Sequence, residues 1–162
     1  ILSKATHIIL INSFSRFIPS GKENRSIKIA LEGMKKQIGR SSESQMLLKF
    51  TKKANKSAFS EGLTLKDFHH GLSIEGREKL KEDLELLINT SKLPSSINKQ
   101  AKVLLLDGEN DAIVCSSTKS KLMEDLKNHL EQDPINWILK GEGHFIRRSK
   151  IISDVINWLE LN

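Results

Sequence analysis

Two short apolar runs in the last third of the chain constrain the fold most. Val103-Leu104-Leu105-Leu106 runs into the turn Asp107-Gly108-Glu109-Asn110-Asp111. Ile135 to Leu139 runs into Gly141-Glu142-Gly143-His144. A short aliphatic run without polar alternation reads as a strand covered on both faces, which is the parallel kind. Parallel neighbours cannot be joined by a tight turn and need a crossover, usually a helix. The sequence between and after the two runs supplies one each time. Leu122, Leu126 and Leu130 fall in line on a helix from about Ser116, and Ile151, Ile152, Val155, Ile156 and Leu159 mark a closing helix. The last third is therefore strand, helix, strand, helix.

His7-Ile8-Ile9-Leu10-Ile11-Asn12 predicts a further strand of the same kind, rich in β-branched residues and closed by Asn12, Ser13 and Ser15. Between it and the last third the rhythm is helical. Ile27, Ala30, Leu31 and Met34 make one amphipathic stripe. Gly39, Ser41 and Ser42 break it, and Met46, Leu47, Phe50 and Ala54 resume it. Ser60 to Gly62 is a second break, and Leu80, Leu84, Leu87 and Ile88 carry a third helix. Thr90 to Asn98, with Pro94, is a connector. The expected organisation is a core strand in residues 1–13, an all-helical insertion over 14–95 and an α/β unit over 96–162.

Ligands in open α/β sheets bind beyond the carboxyl ends of the strands. Asp111 and His144 each follow such an end, so both project from one edge of one sheet. An aspartate that fixes the tautomer of a histidine, and a histidine that takes a proton from a nucleophile, are two members of a Ser–His–Asp relay. Their order, acid before base, is that of the hydrolases whose serine sits on a strand-to-helix elbow.

The third member is not evident. Gly71-Leu72-Ser73-Ile74-Glu75-Gly76 has one residue too many for the Gly-x-Ser-x-Gly elbow and no strand before it. Ser73 reads instead as the cap of the third helix. Cys115 stands at a helix start on the wrong side of the acid turn, and reads as a small, partly buried residue. His69-His70 reads as loop surface.

The resemblance these residues carry can now be named. Leu-Leu-Leu-Asp-Gly-Glu-Asn-Asp-Ala-Ile-Val, Gly-Glu-Gly-His-Phe-Ile and Val155-Ile156-Asn157-Trp158-Leu159 resemble the C-terminal part of the α/β-hydrolase fold. The likeness implies parallel strands with helical crossovers and an inserted helical cap, with Asp111 as acid and His144 as base. It also implies carboxylic-ester hydrolysis through an acyl-enzyme, chemistry that needs no cofactor and no metal. The Leu-Ile-Asn-Ser start and the compact, four-helix-sized basic cap are similar to the pimeloyl-acyl-carrier-protein methyl ester esterases of biotin synthesis. That narrower likeness implies an acyl carrier protein as partner. Arg16, Arg25, Lys28, Lys35 and Lys36 are then its candidate contacts.

Charge fits such a partner. The chain of 162 residues carries a net charge of +6, which suits an acidic protein, nucleic acid or an anionic membrane, or is simply a solvated face. Aromatics are 5% with no tyrosine, so the stacking rings of a single-strand binder are lacking. No apolar run reaches the roughly 18 residues of a membrane span. One cysteine excludes an internal disulfide framework and suits the cytoplasm.

The first strand, apolar on both faces, would expose a naked edge if it had no further neighbour. These residues are therefore expected to be the C-terminal part of an enzyme of roughly 240 residues. A separate chain supplying the other half is the less favoured arrangement. The competing reading is a non-catalytic remnant that keeps the scaffold and binds a protein through its basic helices. A basic helical nucleic-acid binder is the third.

Overall fold

The computed structural model describes residues 2–21, 23–54, 64–147 and 151–161. Three strands form one parallel sheet in the order β1 (His7–Ile11), β2 (Lys102–Gly108), β3 (Ile135–Leu139). The register aligns Ile8 with Val103 and Ile11 with Leu106 on one side, and Leu104 with Ile135 and Gly108 with Leu139 on the other. All three strands therefore end on one edge.

Between β1 and β2 lie the helices α1 (Glu23–Gln37), α2 (Glu43–Ala54) and α3 (Ile74–Asn89), with a 3-10 turn at Leu65–Phe68. Then α4 (Ser116–His129) crosses from β2 to β3, and α5 (Ile152–Leu161) closes the described chain. Alternation along β2 divides its side chains between two cores. Val103 and Leu105 pack with Leu122 and Leu126 of α4. Leu104 and Leu106 pack with Trp158 of α5. A third core, including Phe17, Leu31, Ile38, Met46 and Leu84, belongs mainly to the helices and reaches the sheet unit at Val114.

The expected strands sit where the apolar runs are. One helix start differs. The first helix begins at Glu23 rather than Ser26, because its first turn is polar and carries no apolar stripe; the third begins at Ile74, directly after the expected cap Ser73. Ser73 is the cap of α3, its hydroxyl accepting from the Gly76 amide at 3.0 Å. The described residues give the insertion three α-helices, one for each expected apolar stripe, and one 3-10 turn. The break read at Ser60 to Gly62 lies outside the described residues.

One polar node holds the helices together. The Glu43 carboxylate is buried at the start of α2. It accepts from the amides of Gly39 (2.5 Å) and Leu72 (2.9 Å) and pairs in two-pronged fashion with Arg77 of α3 at 2.8 and 3.1 Å. The Arg77 hydrogen bond, with the two amides, outweighs burial and holds the Glu43 carboxyl at about 2. Gly71 turns at φ 62°, and a side-chain carbon there would lie 2.5 Å from Glu43 Oε1, so both the turn and the space require glycine.

β1 differs from its expectation in cover. Its first four residues are half-buried and Ile11 is exposed. Among the described residues no strand pairs with its outer edge.

Candidate active site

The site is built where β2 and β3 end. After Gly108 the chain turns, and Asp111 Oδ1 accepts from the amides of Ile113 (2.8 Å) and Val114 (3.1 Å). A short acidic side chain bonding its own following backbone in this way fixes both the turn and the carboxylate. Its second oxygen faces His144, with Nδ1 3.2 Å from Asp111 Oδ2. The Asp111 side chain is 1% exposed and that of His144 24%. Burial alone would raise the Asp111 carboxyl. The hydrogen bond from His144 and the two amides outweigh it and bring the group to about 2. With Nδ1–H committed to a carboxylate, the neutral imidazole keeps its lone pair on Nε2. Nε2 has no hydrogen-bond partner among the described residues.

Three devices that the sequence did not reveal bring the two turns together. The first is Asn12, buried at the end of β1 with φ 41°, a region asparagine tolerates better than most residues. Its amide donates to the carbonyls of Gly143 (3.2 Å) and His144 (2.7 Å), and its oxygen accepts from the Gly108 amide at 2.8 Å. One side chain thus ties the ends of three strands. The second is Gly108, where an added side-chain carbon would collide with the Gly143 carbonyl and lie 2.8 Å from the Glu142 carbonyl. The third is a clip around His144. The buried Glu142 carboxylate accepts from the Arg147 amide (3.2 Å) and from its guanidinium (2.9 and 2.5 Å).

A lysine adds charge balance. Lys119, one turn into α4, places Nζ 3.3 Å from Asp107 Oδ1, from Asp111 Oδ2, from Asn12 Oδ1 and from the Gly108 carbonyl. Two buried carboxylates share this cation. The only sequence signal for these partners was a polar residue inside an otherwise apolar strand end, at Asp107 and Asn12.

The helices also reach the site. The His144 amide donates to the Ala54 carbonyl, at the end of α2, at 3.0 Å.

Other candidate residues lie elsewhere. Cys115 is the N-cap residue of α4 without a capping bond, its Sγ 3.1 Å from Thr118 Oγ1. The rings of His69 and His70 lie tilted against each other on the surface, centroids 3.7 Å apart. Among the described residues no hydroxyl or thiol is hydrogen bonded to His144, and no group of three or more metal-ligating side chains converges. The basic residues divide. Arg25, Lys28 and Lys36 are exposed on α1. Lys35 is engaged by Glu85 of α3 at 3.0 Å. The Arg16 guanidinium donates to Ser20 Oγ (2.8 Å) and to the Ser91 carbonyl (3.3 Å).

Parallel strands with helical crossovers, a helical insertion after the first strand, and an acid and a base on successive strand ends form one pattern. The fold matches the C-terminal part of the α/β-hydrolase fold. Solved structures that match it include BpoC of Mycobacterium tuberculosis H37Rv, with 15% identity over 95% of this chain and 56% of that one, TM-score 0.60. The 2-hydroxy-6-oxo-6-phenylhexa-2,4-dienoate hydrolase BphD of Rhodococcus sp. strain RHA1 matches with 15% identity over 93% and 53%, TM-score 0.61. MGS-M2, an α/β-hydrolase from a Medee basin deep-sea metagenome, matches with 13% identity over 95% and 56%, TM-score 0.54. The chain spans little more than half the length of these structures. No protein-family model matches the chain, and no curated protein does.

Proposed function

We propose that this chain supplies the acid and the base of a serine-dependent carboxylic-ester hydrolase. The observation that carries the reading is the buried Asp111 carboxylate 3.2 Å from Nδ1 of a histidine whose Nε2 has no partner among the described residues. In this account a serine from outside these residues attacks the acyl carbon, and His144 Nε2 takes its proton. Asp111 holds the ring and stabilises the imidazolium. His144 then gives the proton to the leaving alcohol, and water enters by the same route to free the acid. No step calls for a metal or cofactor.

The helical segment 14–95 is the cap that selects the acyl chain or its carrier. Arg25, Lys28 and Lys36 leave three exposed cations along α1, the face offered to an acidic acyl carrier protein. Lys35 and Arg16, being engaged within the fold, support the cap rather than the partner. The substrate of this reading is a carrier-linked methyl ester of biotin synthesis, handled in the cytoplasm.

The test is turnover of methyl esters of short dicarboxylic acids by the full-length gene product. His144→Ala is expected to lower kcat at least about 10³-fold, and Asp111→Asn by a similar factor. Turnover unchanged in both variants contradicts the assignment. If the native protein hydrolyses no ester at all, the non-catalytic remnant becomes the better account.

A further inference from the structure

An apolar cavity of about 300 Å³ lies between α1 and α2. Its walls include Ile27 and Met34 of α1, Met46 and Phe50 of α2, and Ile113. The volume is at the lower end of small-molecule sites, which are mostly apolar with a few placed polar groups. Here the polar groups include two ammonium ions, Lys49 and Lys53, one turn apart on α2. Both are exposed, and neither has an ion-pair or hydrogen-bond partner among the described residues.

This arrangement is not what helix stability alone selects. Like charges four apart on a helix repel. The carbonyl end of α2 accounts for a cation at Lys53, in the last turn, but not for Lys49 a turn earlier. By contrast, Lys35, Lys79, Lys119, Lys121 and Lys127 each sit against a carboxylate. An apolar slot with two cations on its wall that face no carboxylate among the described residues is complementary to a ligand with an apolar body and an anionic group.

Position links the slot to the dyad. Ile113 lines the cavity, and its amide donates to Asp111 Oδ1. Lys53 lines it too, and the next residue, Ala54, accepts the hydrogen bond from the His144 amide. The slot therefore borders the backbone that holds Asp111 and His144 in place.

We infer that this cavity binds a medium-length acyl chain bearing an anionic group, with Lys49 and Lys53 holding the anion. That the chain is an acyl group rests on the hydrolase reading. The preference for an anionic amphiphile rests on the cavity alone.

The experiment is a titration of the full-length gene product, isoleucine-methyl labelled, with octanoate and, separately, with 1-octanol. Octanoate should shift the methyl signals of Ile27 and Ile113 and bind more tightly than octanol. The double variant Lys49→Gln/Lys53→Gln, which keeps good helix formers, should weaken octanoate about tenfold and leave octanol unchanged. Met34→Trp, which fills the slot, should weaken both. Equal affinity for the two probes, indifference to the lysine substitutions, or shifts confined to methyls outside the slot would each overturn the inference. Ester turnover is not read here. Octanoate binding as described in a protein that hydrolyses no ester removes the hydrolase reading and leaves the site. Turnover without octanoate binding does the reverse.

Discussion

Asp111 carries four attachments on two oxygens: two backbone amides on Oδ1, and His144 with Lys119 on Oδ2. Its carboxyl is depressed from 3.8 to about 2. A depressed acid stabilises the fold where it is charged, so this contribution is complete above the unfolded value and is lost as pH falls toward about 2. The stability gap between wild type and Asp111→Asn, read by chemical denaturation, should be full at about pH 5 and shrink between 3.8 and about 2. A gap that stays constant over that window would mean the carboxylate is not held as described. Lys119 gives a second prediction. Lys119→Met leaves Asp107 and Asp111 buried side by side, and should cost about 3 kcal/mol in unfolding free energy. The cost should fall when Asp107→Asn removes one of the two charges. Asp111 and His144 were legible in the sequence because each closes an aliphatic run with a turn motif. Asn12 and Lys119 were not. Their partners are 131 and 107 residues away for Asn12 to Gly143 and Lys119 to Asn12, and no local pattern encodes a contact across that distance.

At the scale of elements, the turns that carry Asp111 and His144 approach as backbone against backbone, and Gly108 sets how closely. Gly108→Ala should push the Gly143 carbonyl outward, because no flexible side-chain end is there to yield. Loss of the Asp111–His144 hydrogen bond would follow, with a fall in activity far larger than a surface glycine substitution causes. An NMR spectrum of the variant that retains the wild-type His144 signals would contradict this. The α2–α3 junction depends on Glu43 in the same way. Glu43→Gln keeps the size but leaves Arg77 without its ionic partner and the Gly39 and Leu72 amides with a weaker acceptor, and should destabilise the fold. The cost should vanish in acid. The charged Glu43 is worth most above 4.5, and that worth is lost as pH falls toward about 2. Thermal unfolding of both proteins over that range reads the difference. Hydropathy period located every strand and helix of the described chain, since each buries one stripe or both faces. It missed the start of α1, whose first turn is polar, whereas the cap residue Ser73 gave the start of α3. It also missed the Glu43–Arg77 pair, whose polar residues carry no periodic signal.

For the whole molecule, β2 is buried along nearly its full length while β1 and β3 are only partly covered. Ile11 at the end of β1 is exposed, as are Ile152, Ile156, Leu159 and Leu161 of α5. An unpaired strand edge beside exposed aliphatic residues is a surface that asks for cover. The solved structures of this fold extend to nearly twice the length of this chain. A further strand paired with the outer edge of β1 is what such a surface would accept. Residues 1–162 expressed alone should therefore bind a hydrophobic dye and self-associate, whereas the full-length product should do neither. A monomeric, dye-silent 162-residue protein would mean the sheet is complete as it stands.

The central claim is that Asp111 and His144 activate a serine. Mass spectrometry of the full-length gene product after treatment with a fluorophosphonate tests it most directly. The account predicts one adduct, on a serine outside residues 1–162, formed rapidly in the wild type and lost in His144→Ala. No adduct, or labelling that proceeds equally well without His144, would contradict it.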